Sequence, residues 1–416
     1  FNRKSQIADR MSPPLSISAA DLAPADGRFD RFKLIGWWDQ SRLAAAKVLV
    51  VGAGALGNEI IKNLALMGVG NVLIADKDRI EHSNLSRSVL YRAADAGRPK
   101  AIVAAETAKE IYPDLNVHAF DGDVLHDLGA GVYRWADVII GGLDNREARL
   151  SINRHAWRIG RPWIDGAIEV IQGVARVFTP DAAQEQPCYE CTMSERDWKL
   201  LAHRRSCNLL TRTEMEGGRV PTTPTIASII AGVQVQEALK LLHGLDTLAG
   251  KAFVFAGDSA DSYQITYQRK PDCLSHDTLT RIIELNAGVD TLRPAALLKL
   301  AREHLDETAV IDLGRDVAES LLCRACGKRE EIFRSLSKLT TADASCPFCG
   351  DASREVVTFN TLSDAARFGE RTLREIGIPP FDLLTARTKT DAVGFEFSAD
   401  AAAVLGPLAE EGLEWT

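Results

Sequence analysis

The stretch KVLVVGAGALGNEIIKNLALMGVGNVLIADKD, residues 47–78, has the pattern of a strand, a turn, a helix and a second strand. Its opening run, Lys47–Val51, is mostly β-branched and apolar, which suits a central strand buried on both faces. Gly52, Gly54 and Gly57 follow in the arrangement G-x-G-x-x-G. The first glycine permits a tight turn, the second lets a phosphate approach the backbone, and the third lets the helix pack closely. The stretch therefore predicts a nucleotide site.

The second strand of this stretch leads into Asp76, which lies 19 residues after Gly57. A carboxylate at this separation suits a hydrogen bond to a ribose hydroxyl. The phosphates would then lie at the positive N-terminal end of the helix.

A polar segment, DKDRIEHSNLSRSVLYRAADAGRPKA, continues from Asp76. It brings Asp78, Asn84, Arg87 and Lys100 close together in sequence. One interpretation is a polar loop before a helix that starts near Pro99. The other is that two cations and an amide gather beside a triphosphate.

A further buried strand is predicted at 137–141, and Asp144 follows it. The carboxyl ends of strands are where open α/β sheets bind ligands. A carboxylate there could hold Mg²⁺ beside substrate phosphates. Alternatively, Asp144 caps the next helix.

Composition narrows the range of functions. The chain has 416 residues, enough for two or three domains. Its net charge is -8, so it lacks the overall basic charge that is typical of nucleic-acid-binding proteins. The apolar run 225–242 is interrupted by polar side chains and falls short of a membrane span. No signal-peptide pattern opens the chain, which begins at Phe1. We expect a cytoplasmic protein with no membrane or nucleic-acid partner.

The cysteines indicate metal binding. Six of the eight cysteines form C-x-x-C pairs, which is typical of metal ligands in a reducing compartment. Four N/S ligands in two short pairs predict a closed structural zinc site, although two unrelated reduced pairs remain the alternative. The ligands of this first site are Cys188, Cys191, Cys273 and His276.

A second set of four cysteines has a spacing close to the C-x₂-C-x₁₅₋₂₀-C-x₂-C zinc pattern. It predicts a zinc ribbon or knuckle that stabilises a small domain with little core of its own. Its ligands are Cys323, Cys326, Cys346 and Cys349.

The remaining cysteine is Cys207, which follows His203, Arg204 and Arg205. Neighbouring cations could lower its pKa and favour the thiolate. A buried or incidental thiol is the alternative.

Taken in order, the motifs GAGALG, DKDRIEHSNLSRS, GGLDNREAR and PWIDGA, together with Lys100, resemble the adenylating fold of the ubiquitin-activating enzyme superfamily. That superfamily includes the adenylyltransferases of sulfur-carrier proteins in molybdopterin and thiamine synthesis. The resemblance extends from about Arg28 to His276. One departure is Ser88, where many relatives carry glutamine.

The resemblance implies an α/β fold: a Rossmann-like nucleotide-binding sheet with helices on both faces, a crossover loop, and a small zinc-containing C-terminal α+β domain. It implies ATP, Mg²⁺ and Zn²⁺ as cofactors. The activity implied is adenylation of the C-terminal glycine carboxylate of a ubiquitin-like protein.

The resemblance also implies roles for individual residues. Asp76 would hold the ribose, while Asn84, Arg87 and Lys100 would contact the phosphates. Asp144 would organise Mg²⁺.

Two further roles involve partners. Arg31 matches an arginine that such homodimers insert into the partner's ATP site. Cys207 lies in the crossover region where thioester-forming members carry their catalytic cysteine, which would pass the ubiquitin-like protein to a conjugating enzyme.

We expect an N-terminal arm over 1–27, an adenylation domain over 28–276 with a crossover segment at about 192–222, and a C-terminal partner-binding domain over 277–416. Helices are predicted over 292–304 and 362–376 in the last of these. Its position alone suggests that it docks the conjugating enzyme or the ubiquitin-like protein.

Other functions compete with this interpretation. A sulfur-carrier adenylyltransferase would make the adenylate without using Cys207. An inactive scaffold half of an activating enzyme would need none of the cations. A nicotinamide oxidoreductase would leave the cationic cluster unexplained.

Overall fold

A computed structural model describes residues 27–180, 185–199 and 221–409. Cys207, most of the predicted crossover segment and nearly all of the predicted N-terminal arm lie outside these residues. Within the described ranges the α-helices are α1 Gln40–Ala45, α2 Ala55–Leu66, α3 Lys100–Ile111, α4 Gly131–Trp135, α5 Arg146–Arg158, α6 Tyr189–Thr192, α7 Pro224–His243, α8 Pro294–His304 and α9 Ala401–Leu405. The strands are β1 Lys47–Val51, β2 Asn71–Asp76, β3 Asn116–Asp121, β4 Val138–Gly141, β5 Trp163–Glu169, β6 Gln172–Phe178, β7 Lys251–Ala256, β8 Asp261–Thr266, β9 Ile282–Leu285, β10 Val310–Cys323, β11 Arg329–Ser335, β12 Arg354–Leu362, β13 Leu383–Arg387 and β14 Ala392–Phe397.

The first sheet has eight strands in the order β3-β2-β1-β4-β5-β6-β7-β8. Strands β3, β2, β1, β4 and β5 run parallel, and β6, β7 and β8 continue the sheet antiparallel. The parallel strands at its centre are buried on both faces, as their apolar runs predict. The mixed α/β fold with a largely parallel sheet is therefore confirmed.

Two apolar cores cover the two faces of this sheet. Helices α2, α3 and α7 contribute to one core, where Ile60, Ala104 and Ile230 are buried. Helices α4, α5 and α9 contribute to the other, where Tyr133 and Leu405 are buried. The second core therefore includes side chains from the C-terminal end of the chain.

Helix α7, Pro224–His243, is the one helix among the described residues that is long and apolar enough to cross a membrane by length and composition. It packs against α2, β5 and β6, and Gln234 on it donates to the carbonyl oxygen of Gly141 at 2.8 Å. Gln234 and Glu237 are buried in the fold. These contacts are those of a core helix beneath a sheet.

The second sheet has the strand order β11-β10-β13-β14-β9, and β12 also pairs with β10. The long strand β10 is therefore hydrogen-bonded to β11, β12 and β13. A separate core lies against it, and α8 packs there through Leu297 and Ala301. Helix α8 confirms the helix predicted over 292–304, with a start two residues later.

The helix predicted over 362–376 is wrong. Leu362 ends β12, and only a 3₁₀ turn, Ala366–Phe368, follows before Gly369 adopts φ 58°. The backbone N–H of Leu373 donates to the carbonyl oxygen of Leu292 at 2.8 Å, which joins this loop to the segment before α8. Its apolar side chains are buried in the core of the second sheet, so their spacing reflects the packing of an irregular loop.

Candidate active site

A cleft of about 580 Å³ opens at the carboxyl ends of β1, β2 and β4. The chain passes from β1 to β2 and β3 on one side of β1, then crosses to β4 on the other side. Ligands of open α/β sheets bind at such a switch point, and the volume is typical of small-molecule sites. The nucleotide site predicted from sequence therefore has a cleft in which to lie.

The three glycines of the turn have different surroundings, as the different roles predicted for them require. Gly52 adopts φ +94°, and a Cβ there would lie 2.6 Å from the carbonyl oxygen of Gly142. A Cβ on Gly57 would lie 1.9 Å from the carbonyl oxygen of Gly52. Gly54 differs, because no heavy atom of the described residues lies within 4 Å of the Cβ position. Gly54 lines the cleft at the N-terminus of α2, where the helix dipole favours an anion.

Two of the predicted cations line the cleft. Lys100 begins α3, with Pro99 as its N-cap, and its Nζ lies 3.0 Å from Oδ2 of Asp78. Arg87 is held by a hydrogen bond from its Nη1 to the carbonyl oxygen of Ser83 at 2.8 Å. The buried Ser88 lines the same wall.

Asn84 also lines the cleft, at the end of a 3₁₀ turn that follows β2. Its Oδ1 accepts the backbone N–H of Glu81 at 2.9 Å. This bond fixes the side chain beside the two cations.

Asp76 lies at the end of β2 and links the glycine turn to the segment after it. Its Oδ2 accepts the backbone N–H of Ala53 at 2.6 Å, and its Oδ1 accepts that of Asp78 at 2.7 Å. Burial raises the pKa of this carboxyl, and the charge of Lys100 opposes the rise. The carboxylate therefore orients the turn as well as facing the cleft.

Asp144 lines the cleft beyond the end of β4. It does not act as the cap of the following helix, because the Asn145 side chain accepts the N–H of Ala148 at 2.7 Å in that role. Burial lowers the pKa of Lys77, but the carboxylates of Asp123, Asp78 and Asp144 more than offset this effect. A carboxylate in this position fits the ligand type that Mg²⁺ takes beside phosphates.

One part of the site was missed by the sequence reasoning. Asp165 is fully buried and pairs with Nε of Arg149 at 2.9 Å and with Nη1 of Arg176 at 2.6 Å. Arg149 also donates to the carbonyl oxygens of Leu143 and Gly166, which ties the loop before Asp144 to β5. The signal was present in the motifs NREAR and WIDGA, which contain Arg149 and Asp165.

Comparison with known proteins decides the family. The ThiF family model matches residues 28–275. This chain belongs to the ThiF family. The superfamily expected from the sequence motifs is thereby confirmed, and membership of the ThiF family supports the use of ATP.

Relatives in this family carry related names. A sulfur carrier protein adenylyltransferase of Thermus thermophilus is 30% identical over 248 residues, or 58% of this chain and 85% of the relative. The SAMP-activating enzyme E1 of Haloferax volcanii is 32% identical over 251 residues, or 58% of this chain and 83% of the relative. The ThiF-family relatives of this chain thus include a sulfur carrier protein adenylyltransferase and an activating enzyme.

Among solved structures, the Escherichia coli MccB structure with ATP superposes with a TM-score of 0.50 at 20% identity. The match covers 61% of this chain and 75% of MccB. At that identity the likeness concerns the fold alone.

Arg31 is not among the described residues that line the ThiF-family cleft. It is exposed and precedes the 3₁₀ turn Phe32–Leu34. The structure therefore separates Arg31 from the cations of its own cleft.

The first cysteine group joins two distant segments of the ThiF-family domain. Its four ligand atoms lie within 4.8 Å of one another. The Sγ atoms of Cys188 and Cys273 are 3.5 Å apart, and Sγ of Cys191 lies 3.5 Å from Nε2 of His276. Ligands about 2.3 Å from a tetrahedral zinc would be separated by about 3.8 Å, so these side chains fit the ion.

The second cysteine group lies in the C-terminal sheet, beyond the ThiF-family match. Sγ of Cys323 is 3.6 Å from that of Cys349, and Sγ of Cys326 is 3.8 Å from that of Cys346. Each C-x-x-C sequence is followed directly by a glycine with positive φ, Gly327 at 70° and Gly350 at 76°. In both turns this glycine N–H donates to the carbonyl oxygen of the first cysteine, so the two turns are alike. These residues also fit a tetrahedral zinc.

Proposed function

We propose that this protein uses ATP to adenylate the C-terminal carboxylate of a small ubiquitin-like carrier protein. The observation that supports this most is the meeting of a glycine turn, two cations and a carboxylate in one cleft of a ThiF-family fold. Family membership alone would not require Arg87, Lys100 and Asp144 to face the same cavity.

The reaction brings two anions together. A carboxylate oxygen of the carrier forms a bond to the α-phosphorus, the bond from that phosphorus to the bridging oxygen breaks, and pyrophosphate leaves. Preorganised cations reduce the repulsion in this step at no reorganisation cost. Lys100 and Arg87 would supply this charge, and the N–H groups after Gly54 would bind phosphate oxygens.

Asp144 would hold Mg²⁺, which when bound neutralises phosphate charge and orients the triphosphate. The buried Asp165 would act through Arg149, which keeps the Leu143 carbonyl and hence the loop of Asp144 in place. Asp165 is therefore a positioning residue in this proposal.

One wall of the cleft offers a strip along which a protein substrate could bind. The cross-strand partners Ala167, Val174, Val254 and Tyr263 share one face of β5–β8, because directly paired residues point to the same side. The first three line the cleft, and Tyr263 is 54% exposed at its outer end. An extended carrier tail could follow this strip from the surface to the α-phosphate.

We further propose a homodimer in which Arg31 enters the partner's cleft. Leu34 is 86% exposed and Trp37 42% exposed on the same short segment. Exposed apolar side chains beside Arg31 favour contact with another protein surface. A mixed dimer of an Arg31→Ala chain with an Asp144→Ala chain should recover one working site; no recovery would contradict the cross-subunit role.

Both cysteine groups are proposed to bind structural Zn²⁺. The first would fasten the segment after β6 to the end of the ThiF-family domain. The second would close the two turns at the end of the C-terminal sheet.

The test of adenylation is ATP–pyrophosphate exchange with the cognate carrier. Lys100→Ala and Asp144→Ala should abolish exchange, because each removes a group that organises the triphosphate. Arg98→Ala is the matched control, since Arg98 pairs with Glu106 at 2.7 Å on the neighbouring surface. Exchange at the wild-type level in both cleft variants would refute the assignment, and no exchange by the wild type would favour an inactive scaffold.

The fate of the adenylate defines two finer proposals. Transfer to Cys207 as a thioester, and then to a conjugating enzyme, follows the activating-enzyme route. A sulfur-carrier adenylyltransferase would instead hand the adenylate to a sulfur donor without using Cys207, and the names of the relatives support this route equally. A thiol-sensitive adduct that disappears in Cys207→Ala supports the thioester, whereas an unchanged product in that variant supports sulfur transfer.

A further inference from the structure

One wall of the nucleotide cleft is a short loop between β3 and α4. Its residues 122–125 line the cleft. The register pairs Asp76 with Asp121, so the loop starts beside the proposed ribose carboxylate. Asp123 accepts a hydrogen bond from Nζ of Lys77 at 2.8 Å, which joins the loop to the segment after β2. The loop therefore adjoins the proposed ribose end of the cleft.

The other side of this loop contacts the C-terminal sheet. Oγ of Ser335 and Nδ1 of His126 share a hydrogen bond at 2.8 Å. Arg315 donates from Nη1 to the carbonyl oxygen of His126 at 3.2 Å. Lys338 pairs with Asp127. Three residues of the C-terminal domain thus hold two adjacent residues of the loop.

The support behind these contacts is buried. Arg315 pairs with Oδ2 of Asp382 at 2.7 Å, with side-chain exposures of 6% and 1%. Oδ1 of Asp382 accepts the N–H of Ala130 at 2.8 Å, next to the end of the loop. A Cβ on Gly129 would lie 2.3 Å from the carbonyl oxygen of Phe381, so the two domains meet backbone to backbone here. Removing one partner of such a buried pair is strongly destabilising, so both charges are expected to remain paired in the folded protein.

The contacts come from one end of the β10–β11 hairpin. Val317 pairs with Ser335 at that end, and Leu322 pairs with Arg329 near the other end, where the Cys323 turn begins. Five residues of strand separate the two ends, or about 17 Å at about 3.3 Å per residue. The hairpin therefore connects the second cysteine group to the nucleotide cleft through a single paired element.

We propose that the base of the β10–β11 hairpin is a positioning element of the nucleotide site. Arg315, Ser335 and Lys338 hold loop 122–127 in the conformation that closes the ribose side of the cleft. The C-terminal domain thus sets nucleotide affinity, and by thermodynamic linkage the bound nucleotide stabilises the hairpin base. The proposal rests on the proposed function insofar as the nucleotide is ATP.

His126 suits this role in chemistry as well as position. Burial lowers its pKa to about 4, Asp123 opposes the shift and Arg315 adds to it. The imidazole is therefore neutral near pH 7 and can share a hydrogen bond with the Ser335 hydroxyl without a buried charge.

The test compares two single variants and the double variant of the full chain. Ser335→Ala and Lys338→Ala remove the hydroxyl and the ammonium without touching the cleft. Each net hydrogen bond or ion pair is worth a few-fold in an equilibrium, so the double variant should bind a fluorescent ATP analogue about three- to tenfold more weakly. Lys338→Arg should restore the ion pair and the affinity.

Arg371→Ala is the matched control. Arg371 pairs at 2.6 Å with Glu331, which lies on β11 as Ser335 does. Neither Arg371 nor Glu331 is among the residues described above that contact the loop. This variant loses that ion pair, the packing of Arg371 over the Phe333 ring and its hydrogen bond to the Phe368 carbonyl oxygen. All of these contacts lie within the C-terminal domain, so its nucleotide affinity should equal that of the wild type. In activity assays, the loop-contact variants should raise KM for ATP and leave KM for the carrier unchanged.

Wild-type affinity in a folded double variant would overturn the proposal. If the double variant does not fold, the proposal is tested on the wild type by amide hydrogen exchange with and without the ATP analogue. Nucleotide should slow exchange in loop 122–127 and at residues 335–338 together; slowing in the loop alone would also overturn it. Failure of the wild type to bind the analogue at all would instead refute the proposed function.

Discussion

The glycine turn offers a pair of substitutions that separate nucleotide binding from folding. Gly54→Ala and Gly57→Ala add the same methyl group three residues apart. The Cβ at Gly54 enters open space at the mouth of the cleft, whereas the Cβ at Gly57 lies 1.9 Å from the carbonyl oxygen of Gly52 and 2.8 Å from its carbonyl carbon. The same chemical change should therefore have two different results.

The magnitudes follow from these contacts. Gly54 has φ -75° and ψ -153°, which alanine can adopt, and it is the N-cap of α2. Alanine at an N-cap costs about 1 kcal/mol or less relative to glycine, or about 2–4 °C in Tm for a domain of this size. The methyl group would occupy the space through which a phosphate approaches the backbone, so ATP affinity should fall at least about tenfold. Gly57→Ala must move backbone, and overpacking of this kind costs about 1–3 kcal/mol or more.

The assay measures thermal unfolding and titration with ATP and Mg²⁺ on the same preparations. Gly232→Ala in α7 is the matched control, because no heavy atom of the described residues lies within 4 Å of its Cβ position outside its own helix backbone. Alanine in a helix interior should stabilise by up to about 1 kcal/mol and leave ATP binding unchanged. A Gly54→Ala variant that binds ATP as tightly as the wild type would show that the phosphates do not lie over this turn.

Three further predictions concern stability and metal content. Asp165→Ala leaves the guanidinium groups of Arg149 and Arg176 without their shared buried partner and should cost about 3–5 kcal/mol in urea unfolding. The surface pairs of Arg98 with Asp95 and Glu106, lost in Arg98→Ala, should together cost about 1 kcal/mol or less; equal losses would contradict the role of burial. Elemental analysis should find two zinc ions per chain, one for each cysteine group. The Cys326→Ser variant should lose one of them and have a lower Tm. Wild-type protein that is as stable without zinc as with it would refute a structural role for zinc. Burial holds the pKa of His126 at about 4, below its usual 6.5, so the unfolded chain takes up its proton first and the free energy of unfolding should fall as the pH drops from about 6.5 toward 4. His126→Asn should flatten that part of the pH profile, and an unaltered slope would show that other groups control it.

The nucleotide half of the fold was predictable because its signals are local. The strand Lys47–Val51 has the predicted bounds, and helix α3 begins at Lys100 directly after Pro99 as expected. The glycine spacing was informative because Gly57 contacts the backbone of Gly52 within the same turn and Gly52 contacts Gly142 after the neighbouring strand, whereas Gly54 faces open space. Cleft residues that follow strand ends were predictable for a related reason, because parallel strands bring their carboxyl ends to one edge.

The features that sequence reasoning missed depend on contacts between distant segments. Asp165 and Arg176 face each other across the β5–β6 pair, and nothing in the local pattern shows that Arg149 reaches the same carboxylate. The contact of Ser335 with His126 joins residues 209 positions apart. The wrong helix at 362–376 has the same origin, since its apolar side chains fill a core formed by other strands.

The most direct test of the central claim is an experimental structure with a non-hydrolysable ATP analogue and Mg²⁺. We predict that the phosphates lie over Gly54 with Lys100 and Arg87 in contact, the metal beside Asp144, and the ribose beside Asp76. An analogue bound elsewhere, or one in this cleft with Lys100 and Asp144 directed away from the triphosphate, would contradict the account.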